Sequence, residues 1–319
     1  SSSSRGLGDV YKRQTLDDAS NAFGGTVTFA TDSGSAVTIV DTTALDLKAL
    51  TAASLSATSG GAVTDSGTLA IAGATTISAS GQDITLDQGA STFGTLALTG
   101  ANVAVTENAA TDLGASTVSG TFAITSGGAI TDSGTQAITG DATFTNTAGT
   151  DDAITLDDAS NAFGGTVTFA TDSGSAVTIV DTTALDLKAL TAASLSATSG
   201  GAVTDSGTLA IAGATTISAS GQDITLDQGA STFGTLALTG VNVAVTDAGA
   251  TDLGASTVSG TLGITSGGAV TDSGTLAITG ATTISASGQD ITLDQAASTF
   301  GTLASVSYTH LRAHETTNY

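Results

Sequence analysis

Apolar and polar residues alternate in short stretches along most of the chain. Residues 26–31 and 83–87 show the pattern clearly, with Val, Phe, Ile or Leu at alternate positions. A period of two residues is typical of a β-strand that buries one of its faces. Gly, Ser, Asp and Asn separate these stretches at short intervals, and these residue types favour turns. Since no helical period of about 3.6 residues persists across the separators, the pattern predicts an all-β protein.

The chain also repeats itself on two scales. Residues 15–100 recur without change as residues 155–240, which is a period of 140. Within this unit, Ser-Gly-Gly-Ala-Val-Thr-Asp-Ser-Gly recurs with little change at intervals of 67, 73 and 67, starting at Ser59, Ser126, Ser199 and Ser266. A second marker, Leu followed seven residues later by Phe, places five rings in one register: Phe23, Phe93, Phe163, Phe233 and Phe300. Such repeats predict an elongated structure that lengthens with copy number.

The repeat length limits the β architectures that fit. Propeller blades run to about 40 to 50 residues. Tandem immunoglobulin-like domains need a bulky core, whereas residues 15–304 contain no Trp or Tyr. A unit of about 70 residues divides into three coils of about 23, and abundant Ala, Val, Ile, Leu and Thr suit a narrow stacked interior. We therefore predict a parallel β-helix (β-solenoid) with roughly 20–25 residues per coil.

Aspartates suggest a ruler for the coil. Thirteen of them follow one another at a nearly regular spacing that averages about 23 residues, as expected for one mark in each coil. They are Asp18, Asp41, Asp65, Asp87, Asp112, Asp132, Asp158, Asp181, Asp205, Asp227, Asp252, Asp272 and Asp294. With one Asp per coil, the series predicts about 13 coils. Strands stacked ~4.8 Å apart would then form a rod roughly 60 Å long.

Differences between the two 140-residue copies predict which side chains face the core. Three apolar exchanges suit buried positions: Phe122 with Leu262, Ile130 with Val270, and Phe144 with Ile284. Two other exchanges indicate exposed positions: Glu107 with Asp247, and Asn108 with Ala248. Gln136 with Leu276 fits either a core position that is relaxed in one copy or an edge position.

The two ends of the chain differ in composition from its body. Residues 1–14 and 305–319 hold all three Tyr, both His and four of the six basic residues. Both segments resemble translated sequencing adapters, so we predict that 1–14 and 305–319 are non-native terminal segments. Residues 15–304 are predicted to form a single continuous β-solenoid of about 70-residue repeats. The chain has no Cys, so disulfides cannot stabilise it.

The body of the chain is strongly acidic. Residues 15–304 hold 27 acidic residues and only Lys48 and Lys188 as bases, for a net charge of −25. Binding to a phosphate backbone needs clustered Lys or Arg, so we predict no nucleic-acid partner. An acidic exterior instead favours solubility.

Three carboxylate pairs are candidates for catalysis: Asp17 with Asp18, Asp151 with Asp152, and Asp157 with Asp158. Glycoside hydrolysis uses two carboxylates, and a β-helix can carry such an enzyme. The body has no His or Arg, however, so the usual proton shuttle and a guanidinium for acidic sugars are missing. We predict no enzyme activity and no catalytic, cofactor-binding or metal-binding residues. The alternative is a fragment of a β-helix polysaccharide-active enzyme.

Cation binding and ice binding are two further alternatives. A ladder of Asp would suit Ca²⁺, but the Gly-Gly-x-Gly-x-Asp repeat of calcium-binding β-rolls is absent. Turns closed by Asp side chains account for the same residues. Thr-x-Thr, which suits ice binding, occurs at residues 26–28 and 166–168 but not once per coil.

Three segments carry a resemblance to a known group: 83–87, 161–169 and 199–207. They are similar to the β-strand repeats of filamentous-haemagglutinin-like exoproteins and related autotransporter passengers, and the similarity covers nearly all of residues 15–304. The resemblance implies a right-handed parallel β-helix that outer-membrane machinery exports from a Gram-negative cell. It also implies a non-enzymatic structural region, or shaft, of a large secreted or surface-displayed bacterial adhesin. Such a protein is extracellular or at the cell surface, and its full-length form binds a receptor or glycan on a host or neighbouring cell.

Overall fold

A computed structural model describes residues 13–306 except 148, 150 and 287. Within these residues the regular structure consists of 35 β-strands. No helix that is long and apolar enough to cross a membrane occurs among them. The predicted terminal segments 1–14 and 305–319 lie outside the described residues, apart from residues 13, 14, 305 and 306, which belong to the first and last strands.

The strands are short, and most bury every second side chain, as the alternating pattern predicts. Their bounds are β1 Arg13–Leu16, β2 Thr26–Val27, β3 Ala36–Asp41, β4 Leu45–Leu47, β5 Leu50–Ala52, β6 Ser54–Ser59, β7 Val63–Asp65, β8 Leu69–Ser78, β9 Ile84–Leu86, β10 Thr92–Gly100, β11 Val103–Glu107, β12 Thr111–Leu113, β13 Ser116–Val118, β14 Phe122–Ser126, β15 Ile130–Asp132, β16 Gln136–Ile138, β17 Ala142–Asn146, β18 Ile154–Leu156, β19 Ala162–Phe163, β20 Thr166–Ala170, β21 Ala176–Asp181, β22 Leu185–Ala192, β23 Ser194–Ser199, β24 Val203–Asp205, β25 Leu209–Ser218, β26 Ile224–Leu226, β27 Thr232–Gly240, β28 Val243–Asp247, β29 Thr251–Leu253, β30 Ser256–Val258, β31 Leu262–Ser266, β32 Val270–Asp272, β33 Leu276–Ala286, β34 Ile291–Thr292 and β35 Thr299–Val306.

Two ladders of parallel strand pairs run along the described chain. Ladder A joins β2, β4, β7, β9, β11, β14, β17, β20, β22, β24, β26, β28, β31, β33 and β35. Ladder B joins β1, β3, β6, β8, β10, β12, β15, β18, β21, β23, β25, β27, β29, β32 and β34. The remaining strands form shorter ladders between them. The chain is thus an all-β parallel β-solenoid of about 14 turns, which confirms the predicted fold. At a strand spacing of ~4.8 Å the stack is about 70 Å long.

The turns vary in length. The shortest register steps include the one from Leu96 to Leu113, and the longest include the one from Ala137 to Ala162. Ladder A takes seven steps from β9 to β26, its counterpart in the second copy, so the mean turn is about 20 residues, the lower limit of the predicted range. A repeat of about 70 residues therefore makes three and a half turns. The division into three coils of about 23 residues is wrong.

The aspartate series does not mark one position per turn. Asp41 ends β3 in ladder B, and its register partner one turn later is Ser59. Asp65, the next member of the series, ends β7 in ladder A. Asp41 and Asp65 are buried, whereas Asp87 is exposed. The regular spacing is therefore an average over unlike positions.

Equivalent segments of consecutive repeats lie in opposite ladders. The strand that carries Thr-Asp of the repeated marker is β7 in ladder A, β15 in ladder B, β24 in ladder A and β32 in ladder B. Three and a half turns per repeat produce this alternation, because the extra half turn moves each strand to the other ladder. Two repeats, or 140 residues, are therefore needed before an equivalent strand lies in the same ladder again.

Inward side chains stack into continuous columns, and the largest of them meet near the middle of the chain. Phe144 lies 5.9 Å from Phe122, 6.1 Å from Phe163 and 5.8 Å from Phe169 between ring centroids. The first two contacts are edge-to-face and the third is stacked, both favourable geometries for aromatic rings. This group of four rings is called the Phe144 cluster. The rest of the core is mainly aliphatic and also holds the separate rings of Phe29, Phe93 and Phe233.

The exchanges between copies are mostly placed as predicted. The three apolar pairs are buried: Phe122 and Leu262, Ile130 and Val270, Phe144 and Ile284. Asn108 and Ala248 are exposed, which also confirms the prediction.

The structure corrects the prediction for Glu107 and Asp247 and decides between the two alternatives for Gln136. Glu107 and Asp247 were predicted to be exposed but are only 2% and 1% exposed. Glu107 faces inward because it continues the alternation of Val103 and Val105, and Asp247 continues that of Val243 and Val245. Gln136 is also fully buried, so its position belongs to the core. Its Nε2 donates to backbone carbonyl oxygens, including that of Gly134 at 2.7 Å, and these bonds offset burial of the amide.

Candidate functional surface

Carboxylates dominate the polar chemistry of the chain, and they occupy three kinds of place. Seven are buried among the described residues: Asp41, Asp65, Glu107, Asp181, Asp205, Asp247 and Asp272. Seven close a turn by accepting the backbone N–H two residues further on: Asp18, Asp32, Asp41, Asp158, Asp172, Asp181 and Asp247. The interpretation of Asp as a turn residue is confirmed for these seven. Others link one turn of the solenoid to the next.

The Asp of each Thr-Asp-Ser-Gly segment binds the turn that follows. Asp65 Oδ1 accepts a hydrogen bond of 2.9 Å from the backbone nitrogen of Asp87, 22 residues later. The same bond recurs in every repeat, between Asp65 and Asp87, Asp132 and Asp157, Asp205 and Asp227, and Asp272 and Asp294. The donor is always the backbone nitrogen of the Asp that follows Leu in the second sequence marker. The two markers are therefore bonded partners one turn apart.

A second set of carboxylates clamps three turns together on the outer face. Asp46 Oδ2 accepts from Thr26 Oγ1 at 3.0 Å in the turn before and from Ser66 Oγ at 2.9 Å in the turn after. Asp112 and Asp252 make the same pair of contacts, with Thr95 and Ser133 and with Thr235 and Ser273. Ionised acceptors make stronger hydrogen bonds than neutral ones. The clamps therefore hold the stack together from outside the core.

Burial changes the acidity of two of these aspartates, Asp65 and Asp205. Burial raises the pKa of Asp65, and it raises the pKa of Asp205 to about 6. The backbone N–H groups of the following turn oppose the shift, while the carboxylates of Asp87 and Asp227 add to it. Each of these aspartates has one carboxylate oxygen, Oδ2, that is buried without a hydrogen-bond partner in the protein. The chain thus keeps ionisable groups in its interior at every repeat.

Removal of the Asp132 carboxylate is expected to destabilise the solenoid. The side chain accepts from the backbone nitrogens of Asp157 at 2.8 Å and Asp158 at 3.3 Å, and from Asn161 Nδ2 at 2.6 Å. In Asp132→Ala these donors lose their acceptor, so we expect the free energy of unfolding to fall by about 1–3 kcal/mol. Urea denaturation followed by circular dichroism measures it. Asp17→Ala, at an exposed carboxylate, is the control, and equal losses in the two variants would contradict the bonding role.

Two equivalent grooves, one in each copy, lie on the surface at the start of ladder A strands. Their volumes are about 300 Å³ and 340 Å³. The first is lined by Gly24, Gly25, Thr26, Ala44, Leu45, Asp46, Ala62 and Thr64. The second is lined by Asp141, Gly164, Gly165, Thr166, Ala184, Leu185, Asp186, Ala202 and Thr204. Gly and Ala leave the space open, and the polar lining consists of hydroxyls and carboxylates.

The candidate catalytic pairs lie in loops beside the strands. Asp17 and Asp18 follow β1, and Asp157 and Asp158 follow β18. The backbone nitrogens of the latter pair donate to Asp132, which gives them a structural role. Hydrogen bonds from Ser20 lower the pKa of Asp18, which favours the ionised form and disfavours proton donation. Asp151 and Asp152 precede β18.

The other sequence candidates are also dispersed. Lys48 and Lys188 are exposed, and Lys188 makes a minor contribution to the lowered pKa of Asp141, after the hydrogen bonds from Thr166. Within the described residues, no group of three or more His, Cys, Asp or Glu side chains is arranged to hold a metal ion. The neighbours of Thr26 and Thr166 in the next turn are Asp46 and Asp186, so the Thr-x-Thr segments do not extend into a threonine array.

The sequence patterns reveal both markers. They do not reveal the hydrogen bond between the markers or the burial of carboxyls such as that of Glu107. The 22-residue distance from Asp65 to Asp87 was a signal, since it is close to one turn. For Glu107 the signal was its inward phase after Val103 and Val105. An exchange of Glu for Asp between copies resembles variation at the surface, and this resemblance concealed the burial of Glu107.

Comparison with known proteins gives one family. A family model described as repeats of unknown function (DUF5649) matches residues 34–99, 100–170, 174–239 and 240–307. No curated protein and no solved structure matches the chain. The four matches follow one another along most of the chain. The first complete strands of the first two matches are β3 and β11, which lie in opposite ladders. The chain therefore belongs to the DUF5649 family of repeats.

Proposed function

We propose that this chain is a non-enzymatic structural region, the shaft of a large secreted or surface-displayed bacterial adhesin. The observation that carries the proposal is the unbroken run of both ladders from β1 or β2 to β34 or β35. A stack of this kind holds its two ends at a fixed separation and lengthens as turns are added. The inter-turn bonds of Asp65 and its equivalents occur in every repeat, and the clamps of Asp46, Asp112 and Asp252 add further links between turns.

The adhesin role is supported by the resemblance to haemagglutinin-like exoproteins and by the surface chemistry. An excess of negative charge keeps a long repeat protein soluble and disfavours self-association. In this proposal the full-length protein is exported by outer-membrane machinery and stays at the cell surface or outside the cell. Its partner is a receptor or glycan on a host or neighbouring cell, and the shaft sets the distance to it.

The shaft role predicts how length depends on copy number. Insertion of one further copy of residues 15–154 adds seven turns, and the rod is expected to lengthen by roughly 34 Å. Small-angle scattering or negative-stain electron microscopy of the purified chains measures the change. A compact particle, or an inserted copy that adds width and no length, would overturn the architecture on which the proposal rests.

The adhesin role has a separate test in the producing bacterium. Deletion of residues 15–304 from the full-length gene is expected to reduce attachment to the partner cell, because the distal parts of the protein then sit closer to the producing surface. Detection of the exported, shortened protein on the cell distinguishes loss of reach from loss of export. Unchanged attachment with normal export would exclude an adhesive contribution of this region.

A further inference from the structure

The two copies each hold one buried carboxyl at the same place in ladder A. Glu107 ends β11, and Asp247 ends β28, the equivalent strand of the second copy. Their side chains are 2% and 1% exposed, although their lengths differ by one methylene group. Neither takes part in the bonds between Thr-Asp-Ser-Gly and Leu-Asp described above. These two carboxyls therefore lie outside the set that links the two sequence markers.

Glu107 is the first residue in a line of oxygen atoms that lie within hydrogen-bonding distance of one another. Its Oε1 accepts from the backbone nitrogen of Phe93 at 2.7 Å, and its Oε2 lies 2.9 Å from Thr111 Oγ1. Thr111 Oγ1 lies 3.0 Å from Ser126 Oγ in the next turn. Ser126 Oγ in turn lies 2.8 Å from the carbonyl oxygen of Ala109.

The number of hydrogens in this line depends on the state of Glu107. A carbonyl oxygen only accepts, so the single hydrogen of the Ser126 hydroxyl serves Ala109. The single hydrogen of Thr111 then serves either Ser126 or Glu107. If Glu107 is ionised it takes that hydrogen, and the Thr111 and Ser126 oxygens face each other with none between them. If Glu107 is protonated it donates to Thr111, Thr111 donates to Ser126, and every contact is a hydrogen bond.

The second copy repeats the line with a shorter acid. Asp247 Oδ2 lies 3.0 Å from Thr251 Oγ1, which lies 2.9 Å from Ser266 Oγ. Ser266 Oγ lies 3.0 Å from the carbonyl oxygen of Gly249, whose backbone nitrogen donates to Asp247 Oδ1 at 2.9 Å. The same hydrogen count applies. The arrangement is thus kept while the acid itself differs.

The neighbours of Glu107 are neutral. Phe93 in the turn before, Thr111 in its own turn and Ser126 in the turn after are its bonded or register partners. The nearest titratable group by register is Asp87, which follows the partner of Val105 and is exposed on the outer face. Asp227 occupies the equivalent position beside Asp247. A buried ionised carboxylate would therefore have no cation to compensate it.

We propose that Glu107 and Asp247 are proton-binding sites, each of which carries a buried proton in the folded solenoid and releases it as the surroundings become alkaline. The acidity of the groups agrees with this assignment. Burial raises the pKa of Glu107 to about 7, against the lowering effect of the bonds from Phe93 and Thr111. Burial also raises the pKa of Asp247.

Proton binding by the folded state makes stability depend on pH in a defined direction. An acid whose pKa is raised by folding stabilises the fold fully below its unfolded pKa, near 4.5 for Glu107, and loses that contribution as pH rises to about 7. The stability that Glu107 contributes is therefore larger in acidic surroundings than in neutral ones, and the direction is the same for Asp247.

Proton release on unfolding tests the assignment directly. Wild-type protein is unfolded with guanidinium chloride at pH 6 in weakly buffered solution, and the protons released are counted with an indicator dye. Glu107→Gln is expected to release about one proton fewer, because the unfolded Glu is ionised at this pH whereas the folded Glu is not. Asp247→Asn should lower the count further. Asp17→Asn, at an exposed carboxylate, is the control and should release as many protons as wild type.

A second measurement uses the unmodified side chain. Infrared difference spectra of wild-type protein between pH 6 and alkaline pH should contain the carbonyl band of a protonated carboxylic acid, since carboxyls with ordinary pKa values are already ionised at pH 6. Thr111→Val should shift that band because the acceptor of the proton is gone. Gln at position 107 can donate from Nε2 to Thr111 as the protonated acid does, so that variant is expected to fold. Equal proton release by Glu107→Gln and wild type, or a spectrum without the carboxylic acid band, would overturn the proposal.

Discussion

Gly134→Ala is expected to lower the free energy of unfolding by about 3 kcal/mol or more. Gly134 ends a Thr-Asp-Ser-Gly segment and lies directly over the backbone of the preceding turn. A Cβ at this position would stand 3.0 Å from the Cα of Ala115 and 3.0 Å from the carbonyl carbon of Gly114, and closer still to the backbone nitrogen of Ala115. Because these are backbone atoms, the two turns would have to separate. Guanidinium denaturation measures the loss.

The control for this variant is present in the chain itself. A Cβ at Gly229 would meet no heavy atom within 4 Å. The equivalent residue in the next repeat is Ala296, so Gly229→Ala should leave stability unchanged. Through the unfolded chain alone, Gly→Ala would stabilise the protein, so a similar loss in both variants would contradict the role of close approach between the turns. A Cβ at Gly67, Gly207 or Gly274 would also overlap backbone atoms of the preceding turn, which explains why glycine ends all four segments.

Phe144→Ala is expected to have an effect of comparable size. Its ring is fully buried and contacts three other rings in the Phe144 cluster. Removal of a buried Phe leaves a cavity and lowers the free energy of unfolding by about 3–5 kcal/mol. Thermal and chemical denaturation of the purified variant check the value.

Phe144→Ile is the matched variant, since Ile284 fills this position in the other copy. It keeps a branched apolar side chain, and we expect a loss of less than about 1.5 kcal/mol. If isoleucine proved as destabilising as alanine, the aromatic contacts themselves would account for the effect. If alanine had no effect, the core around Phe144 would have to be looser than its burial indicates.

The alternation of small apolar and polar residues was sufficient to predict the fold class. A narrow solenoid places few demands on any one side chain, so Val63, Ile84 and Val103 reveal their inward positions by phase alone. The turn length was harder to predict. Loops such as those between β18 and β19 and between β20 and β21 change the number of residues per turn without changing the strands, and the sequence does not mark where one turn ends.

The polar interior was the part that sequence patterns concealed. The carboxyl of Glu107 is buried against the backbone nitrogen of Phe93 and the hydroxyl of Thr111, and Nε2 of Gln136 donates to backbone carbonyl oxygens such as that of Gly114. Two of those partners, Phe93 for Glu107 and Gly114 for Gln136, are 14 and 22 residues away in sequence. Only the register of the turns brings them together, and the register follows from the turn lengths that the sequence leaves open.

The half turn in each repeat gives the rod two equivalent sides. Any patch encoded once per repeat appears alternately on one side and then on the other, so a longer chain acquires two matching rows of patches that face away from each other. Gain or loss of a single repeat would switch the side of every patch beyond it, whereas gain or loss of a pair of repeats would leave their orientation unchanged. Changes in repeat number by recombination are therefore neutral for surface orientation only when they occur in pairs.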